Sequence, residues 1–345
     1  MTRSRGLGDV YKRQFAYRTL RVQEDVKRIA QYADQPKQKV LVTGSTGLIG
    51  MQLCAFLQAA GHEVVRLLRQ SSVLPSDVAD EPTVVWNDRT GEIIQGSLEG
   101  FDTVIHLAGL GIGDKRWNAK RKERIRTSRT VPTEHLVRLF ATLDRPPKTF
   151  MCGSAVGYYG NRGNESLTES SSPGDDFLAD MCQAWEASAA PAKDLGIRTV
   201  WLRTGLVTTP MGGILQQLML PTLLGAGGPA GGGRQYYPWI SLHDHIYATY
   251  HLMMNDACDG AYNLTAPEPV TQRQFAKTLG KVLLRPWFAP APGFMLKIMF
   301  GELAQALVLS GQRVLPKRLQ DSGFTFQHDQ LESCLRQALG KQKFS

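Results

Sequence analysis

The sequence predicts an α/β protein, a doubly wound and mostly parallel sheet followed by a smaller C-terminal lobe. Three observations carry that expectation. A short apolar run ends in a Gly-x-x-Gly-x-x-Gly turn at residues 44–50, which opens a helical stretch. From Lys39 to about Val207, short β-branched runs alternate with helical stretches, the pattern of a parallel sheet with crossover helices. Beyond Val207 the texture changes to glycine-dense loops, Gly212-Gly213 and Gly225–Gly233, of the kind found where a chain must bend or move. The division expected is an N-terminal extension and linker over 1–38, a nucleotide-binding domain over 39–207, and a C-terminal lobe over 208–345.

The extension comes first. Residues 1–14 carry Arg3, Arg5, Lys12 and Arg13 against Asp9, and Asp9-Val-Tyr-Lys-Arg-Gln14 is what an in-frame transposon-end adaptor would encode. The segment reads either as a foreign appendage or as a basic tail. Residues 15–38 are polar and end in a linker-like run. Strands are then expected over 39–43, 63–68, 83–86, 103–106, 148–152 and 198–202, with helices near 48–60, 118–142 and 177–195. Asp244 sits where it would cap the helix that follows.

The turn Gly44-Ser-Thr-Gly47-Leu-Ile-Gly50 has a strand before it and a helix and a second strand after it, which is the context a dinucleotide site of the Rossmann type requires. Gly44 permits the tight turn, Gly47 lets backbone approach a pyrophosphate, and Gly50 packs the helix close to the sheet. Backbone N–H groups at the helix start face the phosphates. This assigns Gly44, Ser45, Thr46, Gly47, Leu48 and Ile49 to the cofactor. At the end of the second strand, NAD-binding chains place an acid for the ribose 2′-hydroxyl, while an arginine accommodates a 2′-phosphate. Here the residues are Leu68-Arg69-Gln70-Ser71-Ser72, with no acid in reach, so NADP(H) is favoured, with Leu68 and Arg69 at the site.

Composition excludes other classes. Hydrophobic content of 42% and charged content of 21% are ordinary for a globular chain. No apolar run reaches the roughly 18–20 residues of a membrane span, and Phe294–Ser310 reads as a buried or interfacial helix. The cysteines at 54, 152, 182, 258 and 334 are scattered, without metal-ligand spacing, which argues for reduced thiols in a cytoplasmic setting and against a metal site. The formal charge of +9 concentrates in part over Lys115–Arg129, which lacks interleaved aromatics or a helix-turn-helix. That block reads as a helix beside the cofactor's phosphates, with Arg129 on the Ile125 face and turned inward, and not as a nucleic-acid surface.

The glycine spacing resembles the short-chain dehydrogenase/reductase superfamily, in its extended, epimerase-like branch. Thr103-Val-Ile-His-Leu-Ala-Gly109, Phe150-Met-Cys-Gly-Ser154-Ala-Val-Gly-Tyr-Tyr159 and Leu202-Arg-Thr-Gly-Leu-Val207 resemble its later strands and the loops at their ends. The resemblance extends the cofactor site to Leu107, Ala108, Gly109, Arg129 and Val207. Arg116-Trp117, Ser128-Arg129, Trp185-Glu186, Trp239-Ile240 and the stretch from about 287 to 335 resemble one group within it, epimerase-family proteins labelled "oxidoreductase" or "cell division inhibitor". Residues 15–38 resemble the tail of a START-like domain that some such proteins carry upstream. A small-molecule substrate follows from the resemblance. Its identity does not.

Such reductases use Tyr-x-x-x-Lys on the helix after the fifth strand, the lysine lowering the pKa of the tyrosine. Anchored on Glu186, this chain has Leu178 and Cys182 at those positions. The remaining catalytic candidates are Ser154, one residue off the expected register, with Tyr158 and Tyr159 just past the strand. Arg234 and Gln235 are candidates to bind a polar substrate, beside an aromatic wall of Tyr236, Tyr237 and Trp239. Arg203 reads as structurally paired. Two functions stay open: an oxidoreductase or epimerase of atypical mechanism, and a non-catalytic NADP(H)-dependent regulator. NADPH is expected to bind more tightly than NADH, and Arg69→Ala to cost about 1–3 kcal/mol of that affinity. Calorimetric titration with both nucleotides checks this, and equal affinities would remove Arg69 from the site.

Overall fold

The computed structural model describes residues 3–72, 74 and 76–342. A helix comes first, α1 (Arg3–Ala30). The alternating part follows as β1 (Lys39–Thr43), α2 (Leu48–Ala59), β2 (Glu63–Arg69), β3 (Thr83–Trp86), β4 (Ile93–Gln95), β5 (Thr103–His106), α3 (Ala119–Phe140), β6 (Thr149–Ala155), β7 (Ser166–Leu167), α4 (Phe177–Ala189) and β8 (Arg198–Thr204). Next come β9 (Leu206–Thr208), α5 (Gly213–Leu223), β10 (Tyr236–Tyr237), β11 (Trp239–Ser241), α6 (Leu242–Met254), β12 (Gly260–Leu264) and β13 (Val270–Thr271). The last elements are α7 (Gln272–Leu283), α8 (Gly293–Phe300), α9 (Glu302–Ala304), β14 (Arg313–Val314), α10 (Lys317–Asp321) and α11 (Leu331–Ala338).

Eight strands form one sheet in the order β12-β8-β6-β5-β1-β2-β3-β4, parallel except for β4. The chain runs outward from β1 through β2 and β3, then crosses to β5, β6 and β8 on the other side. Strand order therefore reverses between β1 and β5, and a crevice opens beyond their carboxyl ends. Both faces of β1 are covered, as a parallel sheet requires. Val40 and Val42 pack with α2 and α6, while Leu41 points the opposite way into a cluster with Ile125 and Leu136 of α3 and Met181 and Trp185 of α4. A third cluster, centred on Tyr237, Trp239, Phe275 and Leu335, holds α5, α7 and α11 together in the C-terminal lobe.

Several expectations are corrected. The sheet does not end with β8: Gly260–Leu264 pairs with Val200–Thr204, so residues beyond Val207 complete it. The polar residues 15–30 are helical and docked, and only the run from 31 to 38 is left as a connection to β1. The buried Arg28 donates to Thr325 Oγ1 at 3.1 Å and lies over the rings of Tyr247 and Phe324, while Tyr247 donates to Asp25 at 2.8 Å. Tyr32 bonds to the ring of His251. Ser241, not Asp244, caps α6, its hydroxyl accepting from Asp244 N at 2.9 Å. Asp244 is buried one turn on, where its carboxylate accepts from Gln327 N and His328 N and pins the C-terminal segment. Burial pushes its carboxyl above the usual range. The segment Phe294–Ser310, expected as a buried or interfacial helix, is broken at Gly301, and its first part is not buried. Phe294 and Ile298 of α8 are 67% and 70% exposed, and the inward anchors are Leu303 and Ala304 just after it. No helix among the described residues is long and apolar enough to cross a membrane.

Removing residues 1–14 is expected to leave the melting temperature unchanged, whereas removing 1–33 strips the aromatic cover from α6 and lowers it. Calorimetric melting of both truncations tests this, and equal melting temperatures for the two would show that α1 does not stabilise the domain.

Candidate functional site

The crevice between β1 and β5 is a cavity of about 730 Å³. Thr43, Gly44, Ser45, Thr46 and Gly47 line it from the first turn, Leu68 and Arg69 from the end of β2, and Leu107, Ala108 and Gly109 from the end of β5. Nine of the expected cofactor residues thus meet on one wall: Gly44–Gly47, Leu68, Arg69 and Leu107–Gly109.

At Gly44 and Gly50 the backbone leaves no room for a side chain. Gly44 adopts φ +65°, and a Cβ there would lie 2.7 Å from the carbonyl carbon of Leu107. A Cβ on Gly50 would lie 2.3 Å from Gly44 O, so α2 starts directly against the loop. Gly47 is the N-cap of α2 and offers no side-chain cap, which leaves the first N–H groups of the helix free for an anion. Thr43 Oγ1 joins the two strand ends, 2.7 Å from His106 Nδ1 and accepting from Ala108 N at 3.2 Å. Burial lowers the His106 pKa to about 3, so the ring is neutral there.

Sequence reasoning missed four contributors to this cavity. Arg66 is fully buried in β2, donating from Nε to Glu81 at 2.6 Å and from Nη1 to Ser45 O at 2.8 Å, and so holds the glycine loop from behind. A lone arginine inside the apolar run Val64–Leu68 was the available signal. Arg89 after β3, together with Arg124 and Ser128 of α3, also lines the cavity, where three arginines face the single acid Asp88. Ser128 Oγ accepts from Leu110 N at 3.1 Å, fixing the loop after β5.

Other expected residues lie elsewhere. Leu48 packs toward Gly212, and Ile49 and Val207 pack against the core on the α2 side of the sheet. Arg129 is turned inward as expected, but behind Gly109: a Cβ on that glycine would lie 3.1 Å from the Arg129 Cζ. Gln235 spends its amide donors on Ala230 O and Val308 O, a packing role that corrects its candidacy for substrate. Tyr237 and Trp239 are buried, the indole donating to Glu268 O at 3.0 Å. Arg234 is exposed, and Tyr236 is half-buried with Arg313 over its ring.

At the carboxyl end of β6 the side chains form a buried polar network. Arg203 of β8 donates from Nε and Nη2 to the two oxygens of Glu186, each at 2.8 Å. Burial disfavours the Arg203 charge, but the hydrogen bonds and charge of Glu186 outweigh it and raise the pKa. Ser154 Oγ donates to Glu186 Oε1 at 2.7 Å. Tyr159 donates to Asn263 Oδ1 at 2.7 Å and accepts from Arg203 at 3.0 Å, and burial pushes its phenol up to about 12. Tyr159 is thus a buried structural member, which corrects its place among the candidate proton donors. Tyr158 is half-buried under the Arg203 guanidinium, 3.5 Å from ring centroid to Cζ. Leu178 and Cys182 face this region from α4, and burial raises the Cys182 thiol to about 12.

Residues 40–265 match the model of the NAD dependent epimerase/dehydratase family. The chain belongs to that family. Residues 291–338 match a domain of unknown function, DUF1731, close to the 287–335 expected for a C-terminal module. An epimerase family protein of Mycobacterium bovis is 38% identical over 296 residues, covering 86% of this chain and 96% of its own. An epimerase family protein of Bacillus subtilis is 35% identical over 305 residues, covering 88% and 99%. Among solved structures, human epimerase family protein SDR39U1 with NADPH superposes with a TM-score of 0.78 at 31% identity, covering 87% of this chain and 98% of that one. A nucleoside-diphosphate sugar epimerase from Corynebacterium glutamicum gives 0.77 at 33%, covering 95% and 64%.

Replacing Glu186 by Gln leaves the Arg203 charge buried without a counter-ion and is expected to cost about 3–5 kcal/mol. Tyr159→Phe, which unpairs one acceptor and one donor, should cost about 1–3 kcal/mol. Urea unfolding of both variants gives the ranking, and a larger loss for Tyr159→Phe would overturn the reading of the network.

Proposed function

We propose that the chain binds NADP(H) in the β1/β5 crevice and acts as an oxidoreductase or epimerase whose proton handling does not use a Tyr-x-x-x-Lys pair. The observation that carries this is the crevice itself, a tight glycine turn at a helix start without a side-chain cap, with three arginines on its wall. The residues present fit a dinucleotide phosphate. N–H groups of the first turn of α2 would take the pyrophosphate, and Arg69 the 2′-phosphate, for which an acid at that position would be repulsive. The nicotinamide, when bound, supplies or accepts a hydride. The NADPH in the human relative supports the cofactor choice. The five free, buried cysteines fit a reducing compartment, which we take to be the cytoplasm.

For the proton, Tyr158 is the remaining phenol. Its hydroxyl takes part in no hydrogen bond among the described residues, whereas that of Tyr159 is committed. Ser154 gives its proton to Glu186, so it would meet a substrate as an acceptor unless that bond is exchanged. Arg234, exposed on the loop before β10, is the candidate for a polar substrate group. One observation favours the second reading, a regulator that binds cofactor without turnover: the Ser154 and Tyr159 hydroxyls are both spent inside the fold, and Cys182 is a buried thiol.

Following NADPH consumption across carbonyl, imine and nucleotide-sugar compounds separates the two. With a substrate found, Tyr158→Phe should slow turnover by about 10²–10⁴, as expected for a general acid–base group, and Cys182→Ala by less than about tenfold. Tight NADPH binding with no consumption of any compound would establish the regulatory reading instead.

A further inference from the structure

The C-terminal lobe carries an apolar face that nothing among the described residues covers. α8 has no buried residue, and Phe294, Ile298 and Met299 all stand in solvent. Its flanks hold it out. Before it, Ala291 donates to Pro229 O and accepts from Gly231 N, each at 2.9 Å. After it, Gly301 turns the chain at φ +62°, so that Leu303 and Ala304 are buried while α8 is not. The face continues through Phe288, 75% exposed, to Leu284 at the end of α7 and Leu224 at the end of α5, 82% and 76% exposed. Arg285 joins those two helix ends, donating from Nε to Leu223 O at 3.1 Å. Leu284 is the one non-glycine among the described residues with a positive φ, at 56°. A leucine there strains the backbone and leaves its side chain in water, where glycine or asparagine would end the helix without either penalty. Together these side chains expose on the order of 1,000 Å², well above the roughly 300–600 Å² of the largest apolar patch on a typical monomer.

The charges around the face select its occupant. Residues 211–225 carry no charged side chain, and residues 270–300 carry Arg273, Lys277, Lys281, Arg285 and Lys297 with no Asp or Glu. Of these cations only Lys281 is in an ion pair among the described residues, with Glu332 at 2.7 Å. Glu302, just past Gly301, is taken by Lys122. Lys277 lies 5.8 Å from the ring centroid of Trp287, next to Phe288. Two copies meeting on this face about a twofold axis would set like charge against like charge, with no carboxylate between them. α8 is also a ridge, so it offers a protein partner no groove for its anchor side chains. A fluid bilayer accepts a ridge of any relief, and acidic headgroups neutralise the cations around it. The eight residues of α8 span roughly 12 Å, which suits a helix lying in the headgroup plane and not across it.

We propose that the face formed by α8, Phe288 and the ends of α5 and α7 docks on an anionic lipid bilayer. Phe294, Ile298 and Met299 enter the boundary between headgroups and acyl chains, and Lys277, Arg285 and Lys297 meet the headgroups. None of these residues lines the β1/β5 crevice, so docking leaves that cavity as it is.

Flotation of the whole chain with vesicles of phosphatidylcholine alone, and of phosphatidylcholine with about 30% phosphatidylglycerol, tests this. The wild-type chain should float with the anionic vesicles, bind the neutral ones at least about tenfold more weakly, and lose most of its binding in about 0.5 M salt. Phe294→Ser with Ile298→Ser, and separately Lys277→Glu with Lys297→Glu, should each weaken anionic-vesicle binding by about tenfold or more. Both double variants should melt at the wild-type temperature, because all four side chains are exposed and none is in an ion pair. A wild-type chain that floats with neither vesicle, or equally with both, overturns the proposal, and so does a serine variant that floats like wild type. If the serine variant does not fold, the glutamate variant decides: a loss of about tenfold supports the docking and unchanged flotation overturns it. Sedimentation velocity without lipid tests the rival occupant. A monomer supports the lipid assignment, and a dimer that the serine variant dissolves gives the face to a second copy and overturns it.

Discussion

The Arg203–Glu186 pair is the constraint on which the reacting end of the molecule depends. Two opposite charges have left water, so each must keep the other. Because Glu186 also takes the Ser154 proton and Arg203 also reaches Tyr159, which holds Asn263, one pair ties together β6, the turn after it, α4, β8 and β12. Sliding α4 by even one residue would strand a charge. That is why Leu178 and Cys182, eight and four residues before Glu186, are locked against the turn at 156–159 and cannot rotate a different residue into their place.

The opposite end of the crevice uses the same device in a milder form. Arg66 crosses behind the glycine loop between Glu81 and the Ser45 carbonyl. The loop that must receive phosphates is therefore shaped before any ligand arrives, so little ordering is left for binding to drive. Between these two struts the wall is lined by backbone and by arginines whose charges are not all spent. The site is rigid where geometry matters and electropositive where a polyanion would lie.

Sequence legibility followed the range of the interactions. The glycine turn and the strand alternation are local patterns, each decided within a few residues, and the structure reproduces them, with Arg69 at the end of β2 on the cavity wall. Arg203 as a paired residue was also legible, since a buried strand end cannot keep a lone charge. What was not legible was set by distant partners. Gly260–Leu264 becomes a sheet strand only because β8 leaves an open edge about sixty residues earlier. The polar segment that forms α1 shows no partner in the sequence until α6 and the stretch near Phe324 give it a face to cover. Asp244 has the local appearance of a cap, yet its carboxylate is engaged by amides more than eighty residues later. Tyr159 and Gln235 look available until their polar atoms are found occupied across the fold.

The docking of α1 also sets the order in which the chain can be completed. Arg28 meets Thr325 across 297 residues. At ~5–20 residues per second of synthesis, the helix waits roughly 15–60 s after emerging before its acceptor surface exists. Until residues near 250 have been made, Tyr32 lacks the rings of Tyr250 and His251 that it later packs against, and the sheet still lacks its β12 edge. The first helix can therefore dock only after nearly the whole chain has been made, which places its packing among the last steps of folding.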